Sequence, residues 1–294
     1  MELLEEEIIE KYQNDALQIR EAIEAYQKGE YLTIDEYINK GKDNKGKDNK
    51  RKNMKISKSH PRYESLKTRE KLVAGFKEGY VAINGLLAQG RGECFDYLLN
   101  EKTQNFALEA ERAAVALLLL SKSPVISVNG NVAALCSREI CKLAKILKCS
   151  VETNLFYWTK EREEIIEKIL KKIYDNILTE KTKKIPNMDS KRADVSEYFY
   201  NADVVLVPLE DGDRAGALVK MGKKVIAIDL NPMSHTSQNA TISIADNIVR
   251  AIPNMITFAM AMKNLSRDEL EEIVKSFNNK KNLMDAINFI KGKI

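Results

Sequence analysis

The sequence predicts an α/β fold: a Rossmann-like parallel sheet sandwiched by helices, with an extra helical N-terminal segment and a helical C-terminus. One observation is the short β-branched run at 203–209, which stops in four charged residues and a glycine. A second is the similar run at 224–230, which is followed by Asn231 and Pro232. Runs bounded in this way are typical of buried parallel strands. The third is that helical patterns alternate with the runs, as parallel connections require.

The N-terminal segment differs in composition from the rest of the chain. Residues 1–40 carry eleven acidic and four basic side chains, and loosely periodic apolar residues predict a helix at 4–28. Residues 41–58 are basic and contain the pentamer GKDNK twice in tandem. Such a tract cannot bury apolar surface, and no aromatic residue interleaves its lysines, so a solvated spacer is favoured over nucleic-acid binding. We predict an accessory segment at 1–53 and a catalytic domain at 54–294.

The other elements follow from apolar periodicity and capping residues. Further strands are expected at 124–128 and 149–156. Ser137 is placed as an N-cap, and the segment 179–197 is polar and loop-like. Helices are expected at 62–79, 105–121, 137–147, 160–177, about 214–221, 266–275 and 282–291, and the segment 241–263 is expected to contain a strand turn followed by an apolar helix.

Composition excludes several classes of protein. A formal net charge of +4 does not by itself imply nucleic acid, and 44% hydrophobic residues suffice for a core. The longest unbroken apolar run, at 113–120, is too short to span a bilayer, and no charged-then-apolar leader opens the chain. Four cysteines without a CxxC pair, and two histidines, argue against structural zinc. We therefore expect a cytoplasmic protein with reduced thiols and no membrane partner.

The chain lacks the common nucleotide and nucleophile motifs GxxxxGK[ST], GxGxxG and GxSxG. A phosphorylated ligand would have to be held by arginines and strand-end groups. Ligands of open α/β sheets bind beyond the carboxyl ends of the strands, where Asp211, Asp213, Asp229 and Asn231 are expected. These residues predict a polar site for a metal-bound or cationic ligand. Asp211 and Asp213 are candidate Mg²⁺ ligands, with a solvated loop or a helix N-cap as alternatives.

Two arginines are candidate ligand groups. Arg69 shares a helical stripe with Leu66, Val73 and Phe76, and its charge needs a partner there. A bound anion has equal weight with a snorkelling side chain or an internal salt bridge. Arg91 stands between two glycines, which would let the backbone approach a ligand while the guanidinium grips phosphate. The alternative is a tight turn with an exposed arginine.

Two polar turns are further candidates. The run 129–131, Asn-Gly-Asn, ends a strand just before a helix, where backbone amides can point at an anion. A plain turn is favoured there, because asparagine and glycine suit one. The run 231–236 offers hydroxyls and an amide to a ribose or phosphate. His235 is a candidate acid or phosphate donor, with a surface histidine as the alternative.

From about residue 55 the chain resembles one family, the archaeal phosphopantothenate synthetases, also called 4-phosphopantoate–β-alanine ligases. The longest matching stretches are PVISVNGN at 124–131 and ADVVLVPLEDGDR at 202–214. Shorter ones are SHPRYESL at 59–66, GRGE at 90–93, FDYL at 95–98, NLFY at 154–157 and DLNP at 229–232.

The resemblance implies a homodimeric enzyme of coenzyme A synthesis. It would join (R)-4-phosphopantoate to β-alanine using ATP and Mg²⁺, through an acyl-adenylate, and release AMP and diphosphate. The family's ATP contacts correspond here to Arg69, Arg91, Asp229, Leu230, Asn231, His235, Thr236, Asp246 and Asn247.

The same chemistry suggests roles for other residues. We assign Arg69 and Arg91 to the triphosphate, Mg²⁺ to Asp211 and Asp213, and the proton of the attacking amine to a carboxylate or water near Asp213. Candidates for the substrate phosphate are Asn129, Asn131, Arg192, Arg214 and Lys220.

The chain departs from the family at two places. The family commonly has arginine where His235 stands, and the loop 183–195 matches only in part, since Asn187 and Ser190 do not fit. A histidine lacks the guanidinium fork. Two alternatives therefore stay open: a non-catalytic adenine-nucleotide-binding regulator on the same fold, and a nucleic-acid-linked protein acting through residues 1–53.

Overall fold

A computed structural model describes residues 57–293 apart from Lys58 and Pro61. The predicted helix at 4–28, the repeat at 41–50 and the boundary at 53/54 lie outside the described residues, so these remain predictions. The described part belongs to one compact unit that begins at Ser57.

The central sheet has six parallel strands, which confirms the predicted parallel sheet. They are β1 Pro124–Val128, β2 Ser150–Thr153, β3 Ile177–Leu178, β6 Val204–Pro208, β7 Lys224–Ile228 and β8 Ile242–Ile244. Their order in the sheet is β3-β2-β1-β6-β7-β8. This order reverses between β1 and β6, which makes the crevice there a switch point where ligands of α/β sheets bind. The short strands β4 Lys183–Lys184 and β5 Asp194–Val195 pair antiparallel in a separate ribbon.

Helices cover both faces of the sheet, which is why its central strands read as continuous apolar runs. The helices are α1 Tyr63–Lys77, α2 Ile83–Leu98, α3 Asn105–Leu120, α4 Gly130–Leu147, α5 Lys160–Lys171, α6 Glu197–Asn201, α7 Gly212–Lys220, α8 His235–Asn239, α9 Ile248–Met262, α10 Arg267–Ser276 and α11 Asn279–Lys291. The apolar layer on one face of the sheet includes residues of α1, α3, α4, α5, α9 and α10, and the layer on the other face includes residues of α6 and α7. No described helix is long and apolar enough to cross a bilayer.

Helix α2 was not expected from the sequence, and the interpretation of Arg91 as part of a tight turn is wrong. Gly90, Arg91 and Gly92 lie within α2. Glycine disfavours a helix interior by about 1 kcal/mol relative to alanine, so the local sequence gives little helical signal. Tertiary packing compensates, because Phe95 of α2 packs with a buried cluster that includes Leu230.

Helix α4 begins at Gly130 rather than near Ser137. The Asn129 carboxamide accepts a hydrogen bond from the Val132 amide at 3.1 Å and caps the helix. The backbone leaves helical geometry at Cys136, where φ is −151°. The predicted start therefore corresponds to the second segment of a kinked helix, and Ser137 does not cap the whole.

Candidate functional site

The loop after β6, here called the acidic loop (Glu210–Asp213), lies against the start of α8. The Thr236 hydroxyl donates a 2.7 Å hydrogen bond to the Glu210 carbonyl. Gly212 approaches α8 so closely that a Cβ there would lie 2.4 Å from the Cβ of His235. His235 itself is exposed. The structure thus brings the predicted pair His235 and Thr236 to the acidic loop.

The turn after β7 is folded around the Asp229 carboxylate. It accepts hydrogen bonds from the Asn231 amide at 2.9 Å and the Ser234 hydroxyl at 2.5 Å. Burial raises the pKa of Asp229, while these hydrogen bonds and the charge of Arg91 oppose the rise. The carboxylate therefore shapes the turn and experiences the field of a cation from α2.

Arg91 is exposed on α2 beside this turn. A Cβ on the neighbouring Gly92 would lie 3.5 Å from Cδ1 of Leu230, so α2 packs directly on the turn. Burial raises the pKa of Asp211, and the charge of Arg91 is among the effects that oppose this rise. Arg91 makes no ion pair with any described residue. Its charge acts on both Asp229 and the acidic loop, and its side chain is exposed.

Arg69 of α1 lies on the other side of α2 from Arg91. Its Nε and Nη2 donate to Oε2 of Glu93 at 2.9 and 2.8 Å. Burial acts to raise the pKa of Glu93, but hydrogen bonds from Arg69 and Ser65 outweigh it and hold that pKa below its usual range. The salt-bridge alternative for Arg69 is thus what the structure contains. Arg69 and Asn247 line one small cavity of about 50 Å³, which Arg91 does not line.

A cluster centred on Arg250, here called the Arg250 cluster (Asp96, Thr103, Asp246, Asn247, Arg250), holds the turn after β8. The Arg250 guanidinium donates to Asp96 at 2.5 Å and to Asp246 at 2.6 Å. Asp246 also accepts from the Thr103 hydroxyl at 2.6 Å, and Asn247 donates to Asp96 at 2.8 Å. This network joins α2, the connection between α2 and α3, and α9 around the predicted nucleotide residues Asp246 and Asn247. Sequence reasoning missed Arg250 and Asp96.

Glu111 of α3 is a buried acid beside this cluster, with no exposed surface. Neither carboxylate oxygen makes a well-formed hydrogen bond within the described residues, and the Asn254 amide compensates only in part. Burial, reinforced by the charge of Asp246 and opposed by Arg250, raises the pKa of Glu111 to about 9. Glu111 is therefore protonated near neutral pH. A lone acid on an apolar helical face was the signal that could have marked it.

Glu111→Gln should flatten the loss of stability that occurs as pH rises from 4.5 to about 9. The pKa of Glu111 is about 9 in the folded protein, above the ordinary value of 4.5. The contribution of Glu111 to stability is therefore complete below pH 4.5 and is lost progressively as the pH rises to about 9. A glutamine has no such dependence. Between the two pKa values, the free energy of unfolding of the variant should gain on the wild type by up to about 1.4 kcal/mol per pH unit. Urea unfolding at several pH values measures this, and parallel stability curves would contradict it.

The turn after β1 uses its asparagine side chains internally. Asn129 caps α4 and donates to the Leu209 carbonyl at 2.9 Å. Asn131 donates to the Gly85 carbonyl at 2.8 Å. These contacts match the plain-turn alternative and leave the substrate roles of both residues as predictions.

Arg192 and Arg214 neutralise the acidic loop. Arg192 is 3% exposed and donates to both oxygens of Asp213 at 3.1 Å, with Glu210 at 3.3 Å and Asp211 at 3.5 Å. Arg214 is fully buried and contacts Glu210 at 2.5 Å. The segment 183–195, which matches the family only in part, thus carries the loop's main cation.

This pairing bears on the metal and proton-acceptor roles. Among the described residues, no group of three or more His, Cys, Asp or Glu side chains could hold a metal ion, and the Mg²⁺ role of Asp211 and Asp213 stays a prediction. Burial acts to raise the pKa of Asp213, but the hydrogen bond and charge of Arg192 hold it below its usual range, which makes Asp213 a weaker base. Burial and the charge of Glu210 raise the pKa of the neighbouring Asp211, with Arg192 opposing.

Lys220 is not brought to the other candidates. It lies exposed in the last turn of α7, whereas the acidic loop is at the start of that helix. Nine helical residues separate the two ends by about 12 Å. Nothing described in the structure connects Lys220 to the strand ends.

Comparison with known proteins supplies the context for this geometry. A family model described as phosphopantothenate/pantothenate synthetase matches residues 106–293. The 4-phosphopantoate–beta-alanine ligase of Thermococcus kodakarensis is 51% identical over 244 residues, which cover 81% of this chain and 93% of that protein. The enzymes of the same name from Methanosarcina mazei and Methanospirillum hungatei are 51% and 46% identical, over 94% and 98% of their lengths. This chain belongs to the phosphopantothenate/pantothenate synthetase family.

Proposed function

We propose that this protein ligates (R)-4-phosphopantoate to β-alanine with ATP, giving 4'-phosphopantothenate, AMP and diphosphate, in coenzyme A synthesis. The observation that carries the proposal is about 50% identity to enzymes named for this reaction along nearly their whole lengths. The strand-end groups agree with it in kind, since arginines and carboxylates surround the switch point of the sheet.

The reaction proceeds in two displacements. A carboxylate oxygen of phosphopantoate attacks the α-phosphorus of ATP, the bond to the bridging oxygen breaks, and diphosphate leaves. The amine of β-alanine then attacks the acyl carbon, loses a proton, and AMP leaves. Negative charge grows on phosphate oxygens in the first step, so fixed cations supply much of the acceleration.

The nucleotide lies over β7 and β8 in this proposal. Asp229, Leu230, Asn231, His235 and Thr236 contact it on one side of α2, and Asp246 and Asn247 on the other. Arg91 binds the triphosphate, because it is exposed and close to Asp229. Arg69 reaches the triphosphate only if Glu93 releases it. His235, which is exposed beside the acidic loop, contributes a hydrogen bond to the nucleotide.

The acid substrate lies over β1, β2 and β6. Arg192 and Arg214 are the cations at these strand ends, and the turn 129–131 follows β1 at the same edge of the sheet. Asp211 is a better proton acceptor for the amine than Asp213, because its pKa is raised whereas Arg192 holds the pKa of Asp213 below its usual range.

Mg²⁺ accompanies ATP in this proposal and neutralises phosphate charge when bound. Mg²⁺ commonly uses one or two carboxylates together with substrate phosphates. Asp211 and Asp213 are the exposed carboxylates of the acidic loop, and both contact Arg192. These two residues would hold the ion from beside Arg192, and we assign no step to it.

The protein works as a homodimer in the cytoplasm in this proposal. Free cysteines throughout the described part suit a reducing compartment. Ile83 and Leu87 are 53% and 69% exposed on one face of α2, with Leu98 in line with them. An apolar stripe of this kind suits a partner surface.

Leu87→Glu tests that interface. A charge in the centre of the stripe should convert the dimer to a monomer in sedimentation, because desolvating an unpaired carboxylate at an interface is costly. Met284→Glu, at an exposed position of α11, is the control and should leave the assembly unchanged. A Leu87→Glu protein that sediments as the wild type does would exclude α2 as the interface.

The activity is tested by mixing purified protein with ATP, 4-phosphopantoate and β-alanine and following AMP and phosphopantothenate. Product formation that requires all three substrates is expected. Tight ATP binding without AMP release would instead identify a nucleotide-binding regulator.

A further inference from the structure

Two aromatic residues are exposed directly after β2. Phe156 and Tyr157 are 54% and 48% exposed, with ring centroids 4.8 Å apart. Both belong to the NLFY stretch, and none of the roles above uses it. Large apolar rings exposed beside a polar site need a reason, because burying such a ring is favourable.

The loop that carries Phe156 is tied to Arg192. The Asn154 side chain donates to the Arg192 carbonyl at 3.1 Å, and the Asn154 amide donates to the Val128 carbonyl at 2.9 Å. The Arg192 guanidinium carbon lies 4.5 Å from the centroid of the Phe156 ring, which fixes the ring by a cation–π contact. One side of the ring is held by the cation of the acidic loop, and much of the rest is open.

The same loop borders the turn 129–131. Arg162 donates to the Tyr157 carbonyl and, at 3.1 Å from Nη2, to the Tyr80 carbonyl. Gly130 lies so close to that second carbonyl that a Cβ on it would be 2.5 Å from the oxygen. The loop that carries Phe156 is therefore joined to both regions that the proposed function gives to the acid substrate, directly to Arg192 and through Arg162 to the turn 129–131.

We propose that Phe156 determines specificity for the branched carbon of the acid substrate, an inference that rests on the proposed function. Phosphopantoate carries an anionic group at each end and a carbon with two methyl groups between them. Cations can bind the ends, but only apolar surface can recognise the methyl groups. The exposed ring of Phe156 is an apolar group beside the cations, already fixed in orientation by Arg192.

The test compares 4-phosphopantoate with its analogue that lacks both methyl groups. The wild type should prefer the branched acid, and Phe156→Ala should lose about 10- to 100-fold in kcat/KM with it, the range expected for small apolar groups in a pocket. With the unbranched analogue the variant should stay within about threefold of the wild type. Phe156→Leu, which keeps apolar volume, should restore most of the preference. Met260→Ala, at an equally exposed apolar position of α9, is the control.

Calorimetric binding of the two acids gives a second readout that does not depend on turnover. Equal losses with both acids would overturn the inference and make the ring a structural support for Arg192. An unchanged preference in Phe156→Ala would overturn it as well. A wild type that forms no product from 4-phosphopantoate would overturn the proposed function instead, while the binding preference would still decide the role of Phe156.

Discussion

Arg91→Ala is expected to lower kcat/KM for ATP by roughly 10²- to 10³-fold, the usual cost of removing one preorganised charge from a developing anion. Arg91 is exposed and makes no ion pair with the described residues, so its charge is available to the nucleotide. It also acts on Asp229 and Asp211, which face the proposed triphosphate. Arg91→Lys should recover part of the activity, because lysine keeps the charge but not the fork.

The measurement is AMP formation with ATP varied and both other substrates saturating. Arg138→Ala, at an exposed arginine of α4, is the matched control and should behave as the wild type. Unfolding of Arg91→Ala should also be unchanged, since the side chain makes no ion pair with the residues that the structure describes. Near-normal turnover by Arg91→Ala would remove Arg91 from the mechanism. The effect of Arg69→Ala on activity is harder to interpret, because this substitution would also leave Glu93 without its main partner.

Four of the six strands (β1, β2, β6 and β7) could be predicted from the sequence, whereas β3 begins at the last residue of the helix predicted for 160–177. A strand covered on both faces, such as β6, must be apolar along its whole length, and the charge that follows marks where it ends. Helix α2 gives no such signal. Its glycines weaken the helical pattern in the sequence. The helix is stabilised by contacts with residues far along the chain, such as Leu230.

The candidate site, too, could be predicted only in part. Residues that follow strands, such as Asp229 and Asp211, could be placed at one edge of the sheet from their position in the sequence alone. Which cation meets which carboxylate could not be. Arg250 pairs with Asp96 across 154 positions, and Arg192 reaches the acidic loop from a segment that reads only as polar. Such pairings depend on how separate elements pack, and a single sequence carries no record of that.

Arg250→Met should destabilise the protein by about 2–4 kcal/mol, since it leaves two buried carboxylates without their cation. The side chains of Asp246 and Asp96 are 1% and 7% exposed, and that of Arg250 is 24% exposed, which places the effect somewhat below that of a fully buried pair. Asn247 caps α9 and donates to Asp96, so loosening this cluster should also displace a proposed nucleotide contact. We therefore expect KM for ATP to rise about tenfold with little change in kcat, because Arg250 positions the turn and does not touch the reacting atoms.

A second substitution separates this electrostatic explanation from a simple loss of packing. Adding Asp96→Asn to Arg250→Met removes one of the stranded charges, and the double variant should regain part of the lost stability in urea unfolding. Arg250→Lys keeps a charge but contacts only one carboxylate well, so it should fall between the wild type and Arg250→Met. If Asp96→Asn adds its own loss instead of restoring stability, the buried charges do not cause the destabilisation. If KM for ATP stays at the wild-type value while stability falls, the Arg250 cluster supports the fold without positioning the nucleotide turn.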